Sequence, residues 1–228
     1  MDLFGQVLRD FFNKNQNSTL WIHNNYGEPE EMPVEVFFRD KDTMPQLELF
    51  ALSLCKGKIL DIGAGVGSHA LILQDRGLDI SALEISPIAC QIMELRGVKN
   101  VINQNVMDYQ AEKFDTILLL MNGIGLNEDL NGLKAFLNQA KQLINPGGQL
   151  LFDSSDITYL YEDIPLPKGK YYGELSYHYE YKKQKGDWFK WLYIDQETLI
   201  KIAKEQGWQT EILFEDEMDQ YLARLVLE

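Results

Sequence analysis

Gly63, Gly65 and Gly67 fall within five residues, with Asp61 just ahead of them and Glu84 some way beyond. Glycine lets a chain turn sharply and lets a ligand lie against bare backbone, where a Cβ would collide. The apolar run before the loop, Lys58–Ile62, reads as a strand, and residues 67–76, ended by Gly77, read as a helix. A loop so placed presents the free N–H groups of a helix start to whatever lies above it. Glu84 closes the next apolar run, residues 80–83, and stands 84 − 67 = 17 residues past the last glycine. At the carboxyl edge of a parallel sheet, such an acid accepts hydrogen bonds from both hydroxyls of a ribose. Loop and acid together predict a nucleoside ligand.

Positioning those residues requires a framework, and the chain spells one out. Leu3, Phe4, Val7, Leu8, Phe11 and Phe12 recur at helical spacing, and residues 19–41 follow with no clear period. A helix is expected over residues 44–55. Ser86-Pro87 supplies a cap and a first-turn proline for a helix to Arg96, with Gly97 after it. Strands are expected at residues 101–106 and 114–121, the second apolar enough to be covered on both faces. Leu130, Leu133, Leu137, Ala140 and Ile144 mark a helix, and Pro146-Gly147-Gly148 turns it into a fifth strand.

The ending differs. Leu175, Tyr177, Tyr179 and Tyr181 alternate with Glu174, Ser176, His178 and Glu180, and a turn at residues 185–187 closes a hairpin. A helix at residues 196–206, capped by Asp195, and two strands at 208–214 and 221–227 finish the chain. The expected fold is α/β: a doubly wound, mostly parallel seven-stranded sheet with an antiparallel last strand and helices on both faces. An N-terminal helical lid segment (1–41) and a hairpin inserted at about 172–194 complete a main domain spanning 42–228, the whole forming a single compact body.

Composition narrows the partners. With 21 Lys+Arg against 35 Asp+Glu the net charge is −14, which repels phosphate backbones, so no nucleic acid partner is expected. No stretch is apolar and long enough for a bilayer, and the N-terminus lacks the features of a secretory signal, so a soluble cytoplasmic protein is expected. Cys55 and Cys90 read as buried thiols. No metal is expected.

The loop spacing is G-x-G-x-G, not the dinucleotide G-x-G-x-x-G. LDIGAGVG with Glu84, Asp108 after the third strand, FDTILLLMNGIG at the fourth and INPGGQLLFD at the fifth resembles the class I S-adenosylmethionine-dependent methyltransferases, over roughly residues 42–228. The resemblance implies S-adenosylmethionine as cofactor and methyl transfer as activity. It implies that Asp61 organises the loop and helps hold the cofactor's amino group, while Gly63, Ala64, Gly65 and Gly67 pass under methionine and ribose. Glu84 would take the ribose hydroxyls and Ile85 would pack on adenine. Asp108 would accept from the adenine amino group beside the Met107 backbone, and Leu120, Met121 and Asn122 would face the sulfonium and the acceptor.

Residues 121–124, MNGI, depart from the Asp/Asn-Pro-Pro-aromatic run of amino-nitrogen methylases, and no cysteine stands there for a covalent mechanism on a pyrimidine. With the acidic charge, this favours a small-molecule or protein acceptor over nucleic acid, and a small molecule is the leading expectation. No catalytic residue is fixed by motif. Asn122, His178 and Arg39 are the candidates, with Asp153, Ser154, Tyr26 and Trp191 as further acceptor contacts. Arg39 reads either as a clamp on a carboxylate or as an ion pair with Asp40 or Asp42. His178 reads as a base or as a solvent-facing histidine. His23 and His69 read as loop and surface polarity. A non-catalytic nucleoside-binding or sensor protein, a nicotinamide-dependent oxidoreductase and an aminopropyl transferase stay open as alternatives. So do the acceptor atom (O, N, S or C) and the choice of monomer or homodimer.

Overall fold

Helix α1 (Leu3–Phe12) begins at Asp2, whose Oδ1 accepts from Gly5 N at 2.8 Å. The computed structural model describes residues 2–228. The N-terminal stretch without a period holds two short strands, β1 (Trp21–Asn24) and β2 (Glu30–Glu31), and a 3-10 turn, Val34–Phe38. Next come α2 (Gln46–Leu54), β3 (Lys58–Ile62), α3 (Ser68–Asp75), β4 (Asp79–Glu84), α4 (Pro87–Arg96) and β5 (Val101–Asn103). They are followed by β6 (Phe114–Leu119), α5 (Leu130–Leu143) and β7 (Ile144–Ser155). Strands β8 (Glu174–Tyr181), β9 (Gln184–Lys185) and β10 (Phe189–Leu192) precede α6 (Gln196–Glu205), β11 (Trp208–Glu215) and β12 (Gln220–Leu227).

The main sheet has the order β11-β12-β7-β6-β3-β4-β5. Strands β3 to β7 run parallel, and β12 lies antiparallel to both β7 and β11. Side chains alternate across it, so one strand feeds both cores. Leu60 and Ile62 of β3 pack with Leu133, Phe136 and Leu137 of α5 and Leu199 of α6. Ile59, the neighbour of Leu60, packs with Leu47 and Ala51 of α2, Leu73 of α3 and Met93 of α4.

Three expectations are corrected. The third strand stops at Asn103, because the Asn105 side chain accepts from Met107 N at 2.9 Å and starts a 3-10 turn instead. The hairpin turns at Lys182-Lys183, both in the left-handed region (φ 49° and 65°), and not at 185–187, where Gly186 N donates to Tyr179 O. The hairpin is also not a lone insertion. β1 pairs antiparallel with β8, so the N-terminal segment and the hairpin build a second sheet, ordered β10-β8-β1-β2 with β9 on β8. Pairing of distant segments leaves no local period to read.

Candidate active site

Glycines at the end of β3 carry the turn that the sequence predicts. Gly63, Gly65 and Gly67 all have positive φ (68°, 56° and 81°), and the N–H groups of Gly63 and Ala64 both donate to Leu83 O, at 2.9 and 3.1 Å. The loop is thereby sewn to the end of β4. A Cβ built on Gly65 would meet nothing within 4 Å, whereas one on Gly63 would meet Leu126 and one on Gly67 would meet Val98. Space above Gly65 is therefore left by the chain itself.

Glu84 is held in place from below. Its Oε2 accepts from Gly65 N and its Oε1 from Ser86 N, each at 2.9 Å, while burial pushes its carboxyl above the usual range. Each oxygen keeps a further lone pair for an outside donor. Beside it, Ile85 is 65% and Met107 42% exposed, two large apolar side chains facing water at the same sheet edge. Asp108 is exposed and its carboxylate makes no hydrogen bond among the described residues, but Met107 N is already taken by Asn105.

Asp61 is only 1% exposed, and its Oδ2 has no partner among the described residues. Burial pushes its carboxyl up to about 6; the charge of His69 pulls it back, and that of Glu84 pushes with the burial. His69 is itself buried rather than at the surface. Its Nε2 lies 2.7 Å from Glu48 Oε2, and Arg39 Nη2 donates to Glu48 Oε1 at 2.6 Å. Burial alone would lower His69, yet the bond to Glu48 and the charges of Asp61, Glu48 and Asp153 raise it. Arg39 thus pairs with Glu48, not with Asp40 or Asp42, and its Nε has no partner among the described residues.

At the end of β6, Leu120 is buried and Met121 and Asn122 both take left-handed φ (60° and 54°), a strained pair for residues with side chains. Asp153 over-determines that turn. Both its oxygens accept from Asn122 N at 2.9 Å, and Gln220 Nε2 donates to Oδ2 at 2.9 Å. Burial pushes Asp153 up to about 6, against the pull of the Asn122 and Gln220 bonds. Asn122 Nδ2 donates to Leu192 O at 3.3 Å, and Asn122 Oδ1 is buried without a partner among the described residues. Asp153 and Ser154 were candidates for touching an acceptor, but both are fully buried, and Ser154 Oγ accepts from Ile194 N.

The second sheet sorts the remaining candidates. Trp191 lies against Gly125, where a Cβ would stand 2.1 Å from its Nε1, which brings it near the Asn122 turn, while Tyr26 Oη is 3.3 Å from Tyr177 Oη in the apolar cluster that Trp191 joins. His178 points to the other side of β8 from Tyr177 and Tyr179. It is buried, not solvent-facing, stacked on His23 (centroids 4.4 Å, 6°) with Trp188 edge-on at 4.4 Å. The signal that sequence reasoning passed over was Glu48, an acid amid Leu47, Ala51 and Leu52 on the buried face of α2. Among the described residues, no group of three His, Cys, Asp or Glu side chains converges as a metal centre, and no helix is long and apolar enough to cross a membrane.

This constellation can be set beside known proteins. A methyltransferase-domain model matches residues 38–211. The chain belongs to the methyltransferase-domain family. It is 41% identical to an S-adenosylmethionine-dependent methyltransferase from Bacteroides fragilis, solved in complex with S-adenosyl-L-homocysteine; the match covers 99% of this chain and 94% of that one, with a TM-score of 0.91. The methyltransferase CcbJ from Streptomyces caelestis shares the fold at 14% identity and TM-score 0.63, over 82% of this chain and 94% of its own. The sugar N-methyltransferase KedS8 from Streptoalloteichus sp. does so at 16% and 0.60, over 87% and 94%. A comparison with curated proteins found no significant match.

The methyltransferase uses S-adenosylmethionine. Its carboxyl edge has a fitting donor set: open space over Gly65, exposed apolar flanks at Ile85 and Met107, and the unpartnered buried Oδ2 of Asp61.

Proposed function

We propose that this methyltransferase acts on a small-molecule acceptor, bound between the Asn122 turn and the inner face of the second sheet. S-adenosylmethionine supplies a methyl group on a positively charged sulfur, and in-line attack by the acceptor leaves S-adenosylhomocysteine. Asp61 takes the cofactor's ammonium, and Arg39, with its free Nε, takes its carboxylate. Glu84 takes the ribose diol. Ile85 and Met107 enclose adenine, and Asp108 accepts from its amino group. The strained Met121-Asn122 turn, held by Asp153, fixes where methyl and acceptor meet, and positioning of that kind carries much of the rate in such a displacement. Asn122 Oδ1 is the acceptor-facing hydrogen-bond group.

The observation that carries this reading is the roof. Trp191 of the second sheet packs against Gly125, three residues past Asn122, and joins Tyr26 and Tyr177 in one aromatic cluster, which supports that reading. A roof of that kind suits a compact acceptor better than a polymer. Incubation with radiolabelled S-adenosylmethionine and fractionated metabolite extract or extracted protein is the test. Label should appear in the low-molecular-weight fraction. Label confined to protein would move the acceptor class to a polypeptide.

A further inference from the structure

Glu48 from α2, Asp61 from β3 and Asp153 from β7 are three carboxylates, each at most 5% exposed, whose charges all act on the buried His69. Buried charge is tolerated only when countered. The cations there are Arg39 and His69, and both bind the same acid, Glu48, at 2.6 and 2.7 Å. Asp153 is satisfied by Asn122 N and Gln220. That leaves Asp61 as the acid with an orphaned oxygen and no ion-pair partner among the described residues. We propose that His69, held by Glu48, is a positioning residue for the cofactor: its imidazolium is the buried counter-charge that keeps Asp61 a carboxylate, open to the cofactor's ammonium group. This rests on the reading that Asp61 meets that ammonium.

The other groups facing Asp61 agree with this division of labour. Glu84, from β4, adds negative charge and opposes ionisation of Asp61. Cys55, after α2, stays a neutral thiol, pushed up to about 12 by burial and then by the charge of Asp61. Of the two charges that act on Asp61, His69 favours its ionised form and Glu84 opposes it. Glu48 in turn holds the His69 ring and favours its protonated form. When the ammonium arrives, any proton on Asp61 leaves for solvent, so binding is linked to pH.

S-adenosylhomocysteine is the probe, titrated calorimetrically from pH 5.0 to 8.0 into the intact protein. With Asp61 pushed up to about 6, one linked proton makes the wild-type Kd roughly tenfold weaker at pH 5.0 than at 7.5. His69→Gln removes the supporting cation, so the same fall begins at higher pH while Kd at pH 8.0 stays within about threefold. Glu48→Gln shifts the profile in the same direction. Equal weakening of His69→Gln at every pH would show a merely structural role and overturn the proposal. A variant that does not fold leaves the wild-type test standing: at pH 6, titrations in two buffers of different ionisation enthalpy must reveal proton release, and none would also overturn it. Asp61→Asn separates the two readings. Unchanged affinity in that variant at pH 7.5 would remove Asp61 from the cofactor site itself.

Discussion

Backbone aims Glu84: Gly65 N and Ser86 N occupy one lone pair on each oxygen and leave the others for a diol. Removing the carboxylate therefore frees two loop N–H groups and, on the proposed ribose role, loses two outside hydrogen bonds. Glu84→Ala should weaken S-adenosylhomocysteine binding by about 1.5–3 kcal/mol, roughly ten- to a hundredfold, the scale of hydrogen bonds to a charged group. Titration calorimetry reads this directly. A loss under about threefold would take Glu84 out of the ribose site. Residues of this kind are legible in sequence because they act where a strand must end and a loop must turn, and both leave a local mark. Glu48 and His69 leave almost none. They lie 21 residues apart and meet only because α2 and α3 cover the same face of the sheet.

At the level of elements, side-chain bonds and a shared sheet tie the N-terminal segment to the rest of the methyltransferase. Asp2 caps α1 and accepts from Ser86 Oγ at 2.6 Å, two residues past Glu84, while Arg39 reaches Glu48. The second sheet is the other tie, and its hairpin turns on Lys182-Lys183, two side-chain-bearing residues in the left-handed region. Lys182 is engaged with Asp10 at 2.7 Å, whereas Lys183 takes the strain with no ion pair among the described residues. Lys183→Gly should raise stability by about 0.5–1 kcal/mol, since glycine adopts this conformation without the Cβ penalty. Urea unfolding measures it, and a midpoint that stays or falls would contradict the assignment of strain.

Over the whole molecule, buried ionisable groups set the pH dependence of stability. Asp61 and Asp153 are both pushed up to about 6 from an ordinary 3.8, and His69 is raised as well. A group raised on folding contributes stability at low pH and loses it as pH climbs through the folded value. Asp115, Asp129 and Asp195 are lowered, so their contribution disappears in the opposite direction, at acid pH below the usual carboxylate range. The ligand-free enzyme should thus unfold at higher denaturant near pH 5.5 than at pH 8, although the proposed role of Asp61 has its cofactor bind better at pH 8. Guanidinium titrations at the two values decide this, and a flat or reversed profile would mean that the buried acids are not the controlling groups. Asp61→Asn should narrow the difference.

Much of the methyltransferase was determined by the sequence alone. Strand and helix periods, the G-x-G-x-G turn, Glu84, the Ser86 and Asp195 caps and the reversed last strand are all encoded within a few neighbouring residues, because each depends on local backbone geometry. Tertiary structure decided what depends on residues far apart. Pairing of β1 with β8 made a second sheet from a segment without a period. It turned His178 onto His23, 155 residues away in sequence (178 − 23), and brought Trp191 against Gly125. The Glu48–His69–Arg39 cluster has the same origin: charges buried together influence one another through a low dielectric, whatever their separation along the chain.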